Sequence, residues 1–204
     1  MLTFFISAIA ISLSGVLAPG PITAATLAAG ARQRHAGAMI ALGHAVVEFP
    51  LILLLVVGVA RYLESPVVGG CIGAAGGVVL VLMGMQLLLS LRRESHLLAT
   101  GSPTHPFVLG VVLTAANPYF LVWWATVGLA LASQAVGFGA VALVAFAVVH
   151  WLCDLVWLEV LSQAGYRGSK LLGPRAQTVV SAICGAVLLG FGIKFLYDAG
   201  VALV

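Results

Sequence analysis

Charged side chains are scarce in this 204-residue chain: they make up 7% of it, against roughly 25% in an average soluble domain. With hydrophobic residues at 62%, too few polar groups remain to cover a solvated surface, which excludes a soluble globular protein and points to a chain embedded in lipid. Cysteine is also sparse. Cys71, Cys153 and Cys184 all fall inside apolar runs and form no C-x-x-C pair, which excludes a disulfide framework and a thiol-redox centre; each reads as small apolar packing. The chain shows no glycine-rich phosphate loop and no nucleophile–base pair with a third orienting group, so an enzyme is not expected. The opening stretch, MLTFFISAIAISLSGVLAPG, lacks a basic n-region and carries a proline-glycine pair where a cleavage motif would stand. It therefore reads as a first membrane span and not as a signal peptide.

What is present are apolar runs of about 20 residues, the length a helix needs to cross a hydrocarbon core. They lie at roughly 2–29, 37–60, 67–91, 107–132, 139–162 and 177–199, and predict an all-α membrane protein of six transmembrane helices. The runs are continuously apolar and do not alternate, which disfavours barrel strands. Basic residues set the orientation. Arg32 and Arg34 follow the first run, Arg92 and Arg93 the third, and Arg167, Lys170 and Arg175 the fifth, so seven of the nine Lys and Arg fall in alternate connections. The positive-inside rule places these in the cytoplasm and both termini outside. Each cluster abuts a span end, so the basic residues call for lipid as a partner and not for nucleic acid.

The most hydrophilic stretch, RRESHLLATGSPTHP at 92–106, reads as a cytoplasmic linker between a three-helix repeat at 1–91 and a second at 107–204. An odd number of spans per half makes the second half enter from the opposite face, which is the condition for an inverted-topology repeat. The halves echo each other. LAPGP at 17–21 and TAANPYF at 114–120 each place proline near the middle of an apolar run, where it removes a backbone donor and breaks the helix. Pro19, Gly20, Pro21, Asn117 and Pro118 therefore mark helices 1 and 4 as discontinuous, and half-helix ends of this kind can hold the charged ends of a small substrate. GGVVLVLMGMQLLL at 76–89 lies over CGAVLLGFGIKFLY at 184–197, pairing Gly77 with Gly185 and Gly84 with Gly192; glycines seven apart share a helix face and suit close packing. Lys194, near the outer end, is expected to extend its amine toward the headgroups.

The second and fifth runs carry the ionisable residues. His44 and Glu48 in GHAVVEFP are answered by His150 and Asp154 in VHWLCDLV, each pair four apart and so on one helical face. An ionisable group at the bilayer centre costs about 2.5–3.5 kcal/mol on insertion scales, so all four should face inward and converge near the midplane. Burial favours the neutral forms of carboxylate and imidazole alike, which would let the set take up and release protons. The same residues could instead be first-shell ligands of a divalent cation such as zinc, or hydrogen-bonded contacts that only tie helices together. Glu159 is expected at the interface, outside this set.

In its order of motifs the chain resembles the lysine exporter (LysE/RhtB) family of small membrane translocators. The resemblance rests on LAPGP, GARQRHAGAMIALG at 30–43, GGVVLVLMGMQLL at 76–88, LTAANPYFLVWW at 113–124 and GAVLLGFGIKFL at 185–196, and it covers nearly the whole chain. It implies a prokaryotic inner-membrane exporter of amino acids or related small metabolites driven by the proton gradient, with Pro19, Gly20, Pro21, Asn117 and Pro118 as the motif residues. The doubled His-x3-carboxylate arrangement departs from the family's usual pattern. Three functions follow: a proton-coupled exporter with alternating access about a midplane site, needing no cofactor; a divalent-cation exporter; and a non-transporting membrane scaffold. The many glycines are compatible with a homodimer.

Overall fold

The computed structural model describes residues 1–17, 20–59, 66–93 and 104–203, and among these it is helical throughout with no strand. Helix α1 spans Leu2–Val16 and α2 Pro21–Gly30; α3 spans Ala36–Leu54 and runs into a wide π-turn at Leu55–Val59. Helix α4 spans Pro66–Arg93 and α5 Pro106–Ala115; α6 at Pro118–Trp123 continues through a second π-turn, Trp124–Gly128, into α7 at Leu129–Gly137. The last helix, α8, spans Ala140–Leu203. Among the described residues, four segments are long and apolar enough to cross a membrane: Ala36–Gly58, Pro118–Gly137, Ala140–Gly168 and Ala182–Ala202. Leu2–Leu13, Pro21–Gly30, Gly70–Gln86 and Pro106–Ala115 are shorter apolar helices.

Proline sets several of these boundaries. Pro21, Pro106 and Pro118 each stand in the first turn of a helix, where a missing N–H costs nothing. The two mid-run breaks expected from sequence are therefore real chain features: α1 ends at Val16 before α2 restarts at Pro21, and α5 ends at Ala115 before α6 restarts at Pro118. Gly139 has φ of +103°, which ends α7 and turns the chain into α8. The linker assigned to 92–106 falls mainly on residues outside those described. Its ends are Arg93, which closes α4, and His105, which caps α5.

One expectation differs in form. The sequence predicts a connection after 162; the chain does turn there, between the segments Ala140–Gly168 and Ala182–Ala202, but helical structure continues through the turn to Leu203. Gln, Ala, Arg, Lys and Leu are all good helix formers, and polarity alone does not end a helix. The helix is nevertheless bent back on itself. Gly165 abuts Leu27 and Ala31, while the Cys184 thiol meets the Ala28 backbone. On a straight helix rising about 1.5 Å per residue these two positions would be about 28 Å apart. The first arm of α8 runs antiparallel to α3, with Gly37 against Leu158 and Glu48 against His150. The second arm runs antiparallel to α4 along the glycine stripe. A Cβ added at Gly77 would stand 2.8 Å from the Gly192 carbonyl, and one at Gly84 would stand 2.9 Å from that of Gly185, so the stripe pairs each glycine with the opposite partner of its sequence match.

Two apolar clusters bear on the site. Phe4, Ala8, Ile52, Leu55, Trp124, Leu131, Ala132, Ala135 and Phe146 form one; Ile40, Ala41, Leu158 and Leu161 form another. On α3, and again on the first arm of α8, the ionisable residues fall between positions belonging to these two clusters.

Candidate functional site

Helical spacing puts His44 and Glu48 on one face of α3, and His150 and Asp154 on one face of α8. Packing of the two helices then brings the pairs into contact. His44 Nε2 lies 3.0 Å from Glu48 Oε1, and His150 Nε2 lies 3.3 Å from the same oxygen. Asp154 Oδ2 completes the set at 3.5 Å from His150 Nε2 and 3.9 Å from His44 Nε2. Glu48 is completely buried, and both imidazoles are nearly so. All four residues nominated from the second and fifth runs thus share one interior point.

The far side of each imidazole is held by a hydroxyl from a broken run. His44 Nδ1 lies 2.9 Å from Thr114 Oγ1 on α5, and His150 Nδ1 lies 2.8 Å from Ser12 Oγ on α1. Thr114 donates its own proton to the Gly110 carbonyl at 2.6 Å, so its oxygen receives the Nδ1–H of His44. With Nδ1 protonated, a neutral His44 presents a bare Nε2 to Glu48. One proton must therefore lie between the two, on the nitrogen or on the carboxyl.

Aromatic rings enclose the set. Trp124, fully buried, donates its indole N–H to Glu48 Oε1 at 3.3 Å and meets His150 edge-on at 4.9 Å between centroids. Trp123 stacks on His150 at 5.1 Å, and Phe120 stands edge-on to His44 at 5.1 Å. Close helix contact makes this enclosure possible: Gly43 lies against the Phe107 carbonyl and Gly110 against that of Ile40, so α3 and α5 touch backbone to backbone beside His44. Ser12, Thr114 and Phe120 do not stand out in the sequence as site residues, and Trp123 and Trp124 could line a pocket but read more readily as facing lipid or filling gaps between helices. The available signals were a hydroxyl inside each apolar run and the consecutive tryptophans of LVWW.

The break residues occupy helix starts. Gly20 precedes α2 in extended conformation, and Pro21 is buried in its first turn. Asn117 caps α6, its side-chain oxygen accepting from the Tyr119 and Phe120 amides at 3.1 and 3.4 Å. Pro118 follows in the first turn. Pro19 lies outside the described residues. None of the contacts above joins these residues directly to the quartet; they are linked to it through Ser12 and Thr114, on the helices that end at the breaks.

Two neighbouring features are distinct from this centre. Glu159 binds His35 Nδ1 at 2.7 Å, the Ala38 amide at 3.1 Å and Gln163 Nε2 at 2.7 Å, tying the start of α3 to α8. Lys194 pairs with Asp198 at 2.6 Å and lies over the Tyr119 ring at 5.4 Å. Cys71, Cys153 and Cys184 are free thiols.

Ligand atoms of His44, Glu48 and Asp154 lie within 4.8 Å of one another, a grouping that could hold a divalent cation. Against that use, Glu48 Oε1 already faces both imidazoles and takes the Trp124 N–H, a donor with no lone pair to offer a metal. The arrangement places one oxygen of Glu48 among hydrogen-bond donors, while Glu48 Oε2 and Asp154 Oδ2 are buried without a hydrogen-bond partner among the described residues. No curated protein and no solved structure matches the chain. Residues 13–199 match the LysE type translocators, and the chain belongs to that family of membrane transporters.

Proposed function

We propose that the protein is a proton-coupled exporter of amino acids or related small metabolites in the cytoplasmic membrane of a prokaryote. It crosses the membrane six times as two inverted three-helix repeats, 1–91 and 107–204, joined by a cytoplasmic linker, with both termini outside. The observation that carries the reading is the convergence of His44 Nε2 and His150 Nε2, at 3.0 and 3.3 Å, on one buried oxygen of Glu48. Family membership supports export over a scaffold or an enzyme. A solely structural lock would be served better by apolar packing, since buried ionic groups are weak contributors to stability.

Along α3 and the first arm of α8 the quartet falls between residues of the two apolar clusters. In the proposed cycle, proton uptake by Glu48 and Asp154 from outside accompanies opening toward one face, and proton release accompanies opening toward the other. The half-helix ends at Pro19, Gly20, Pro21, Asn117 and Pro118 receive the polar ends of the substrate, and His44 and His150 pass protons to the carboxylates. No resident cofactor is needed. The test is efflux of a mixture of labelled L-amino acids from proteoliposomes across a pH series, with and without a chelator. The reading requires pH-dependent efflux that the chelator leaves unchanged; efflux abolished by the chelator would instead assign the quartet to a divalent cation.

A further inference from the structure

We propose that Trp124 is the positioning residue that holds Glu48 between the two imidazoles and links its charge state to closure of the apolar cluster around Phe4 and Leu131. The proposal rests on the proton-carrying reading of the quartet. Trp124 opens the π-turn Trp124–Gly128, a wide turn of the kind that recurs at functional sites. Its indole has two faces of use. The N–H reaches Glu48 Oε1 at 3.3 Å, while the rings pack in the cluster of Phe4, Leu131 and Phe146. It is therefore the one described side chain that both bonds the central carboxylate and belongs to that plug.

The seat for this ring is built by the π-turn itself. A Cβ at Gly128 would collide with the Trp124 six-membered ring, so glycine at that position is what lets the indole lie across its own next turn and point at Glu48. Trp123, immediately before it, lies against Gly15 and stacks on His150, so consecutive tryptophans bracket the imidazole. An N–H donor favours the ionised form of the carboxylate it bonds. When Glu48 takes a proton that bond weakens, and the plug loses its polar anchor. The charged or titratable groups facing Glu48 are His44 on its own helix and His150 and Asp154 on α8; Ser12 and Thr114 reach only the imidazoles.

The test needs no substrate. In the full-length protein in detergent, the carbonyl-stretch infrared band of protonated Glu48, assigned by its loss in Glu48→Gln, is followed across the whole pH range over which the protein stays folded. Trp124→Phe keeps an aromatic ring without the N–H, and Gly128→Ala keeps the indole but displaces it. Both are expected to move the band's midpoint to higher pH by about one unit. A second readout covers variants that fail to fold: in the wild-type protein, one of the four indole N–H resonances should shift with the Glu48 midpoint. That resonance should survive in Trp123→Phe, Trp151→Phe and Trp157→Phe. Midpoints that superimpose on the wild type, or indole resonances insensitive to the Glu48 titration, overturn the role of Trp124 and leave the proton reading standing. A wild-type band that does not titrate at all overturns both.

Discussion

His150 Nδ1 and the hydroxyl of Ser12 lie 2.8 Å apart although the residues are 138 positions apart in sequence, so the first helix of the chain orients an imidazole on the last. Thr114 does the same for His44 at 2.9 Å. Each contact fixes which ring nitrogen faces the carboxylates, and each leaves a buried ring nitrogen unpaired if the hydroxyl is removed. Ser12→Ala and Thr114→Val are therefore expected to cost about 1–3 kcal/mol each. For a chain of this size that lowers the melting temperature by about 2–4 °C per kcal/mol, measurable by thermal unfolding in detergent. Melting curves unchanged in both variants would show that the hydroxyls do not hold the rings.

The backbone contact between α3 and α5 predicts a steep and position-specific glycine dependence. Gly43→Ala drives a methyl into the Phe107 carbonyl and Gly110→Ala drives one into that of Ile40; neither obstacle is a flexible side chain that can turn aside. Each substitution should destabilise the protein by several kcal/mol, at or beyond the about 1–3 kcal/mol typical of overpacking, and should disturb the His44 site as well. Gly190→Ala is the internal control. Nothing lies within 4 Å of a Cβ there, so stability should stay level or rise by up to about 1 kcal/mol. Equal losses at all three positions would contradict the packing described.

Glu159 makes a different kind of prediction, because its contacts are partly exposed. It holds His35 and the Ala38 amide, and Gln163 beside it receives Arg34 at 3.1 Å, so the segment carrying Arg32 and Arg34 is tied to α8. Partly exposed pairs of this kind contribute about 0.2–1 kcal/mol, so Glu159→Ala should barely change the melting temperature. It should instead speed trypsin cleavage at Arg32 and Arg34, and in vesicles that cleavage should occur from the cytoplasmic face alone. Cleavage from the opposite face would reverse the proposed orientation.

The donor set also allows a direct check of the divalent-cation alternative. Titration calorimetry of the purified protein with zinc, manganese, nickel and cobalt should register no binding at the quartet, and Glu48→Gln should give the same heats as the wild type. A saturable heat that Glu48→Gln removes would make the quartet a metal centre.

The sequence made some of this arrangement legible and hid the rest for identifiable reasons. His44, Glu48, His150 and Asp154 stood out because ionisable groups inside apolar runs are costly and therefore must find one another. Pro21 and Pro118 announced the helix starts because proline cannot continue a helix from within. The stripe of Gly77, Gly84, Gly185 and Gly192 was legible as a packing face, but not the antiparallel direction that pairs Gly77 with Gly192. Ser12 and Thr114 were silent, since a hydroxyl in an apolar helix usually bonds its own preceding turn, as Thr114 also does. Trp124 was legible only as an aromatic that could line a pocket or face lipid: where an indole points depends on the π-turn and on Gly128, and no periodicity reports a widened turn. That the fold-back of α8 past Gln163 keeps helical structure was hidden because its polar residues are as suited to helix as to loop.

The central claim is that Glu48 and Asp154 carry protons across the membrane in exchange for solute. It is tested most directly by recording external pH while proteoliposomes loaded with L-amino acids release them. The wild-type protein should alkalinise the weakly buffered exterior in step with release, and Glu48→Gln/Asp154→Asn, still folded by its melting curve, should give neither. Release by the double variant at the wild-type rate, with the same alkalinisation, would contradict the account.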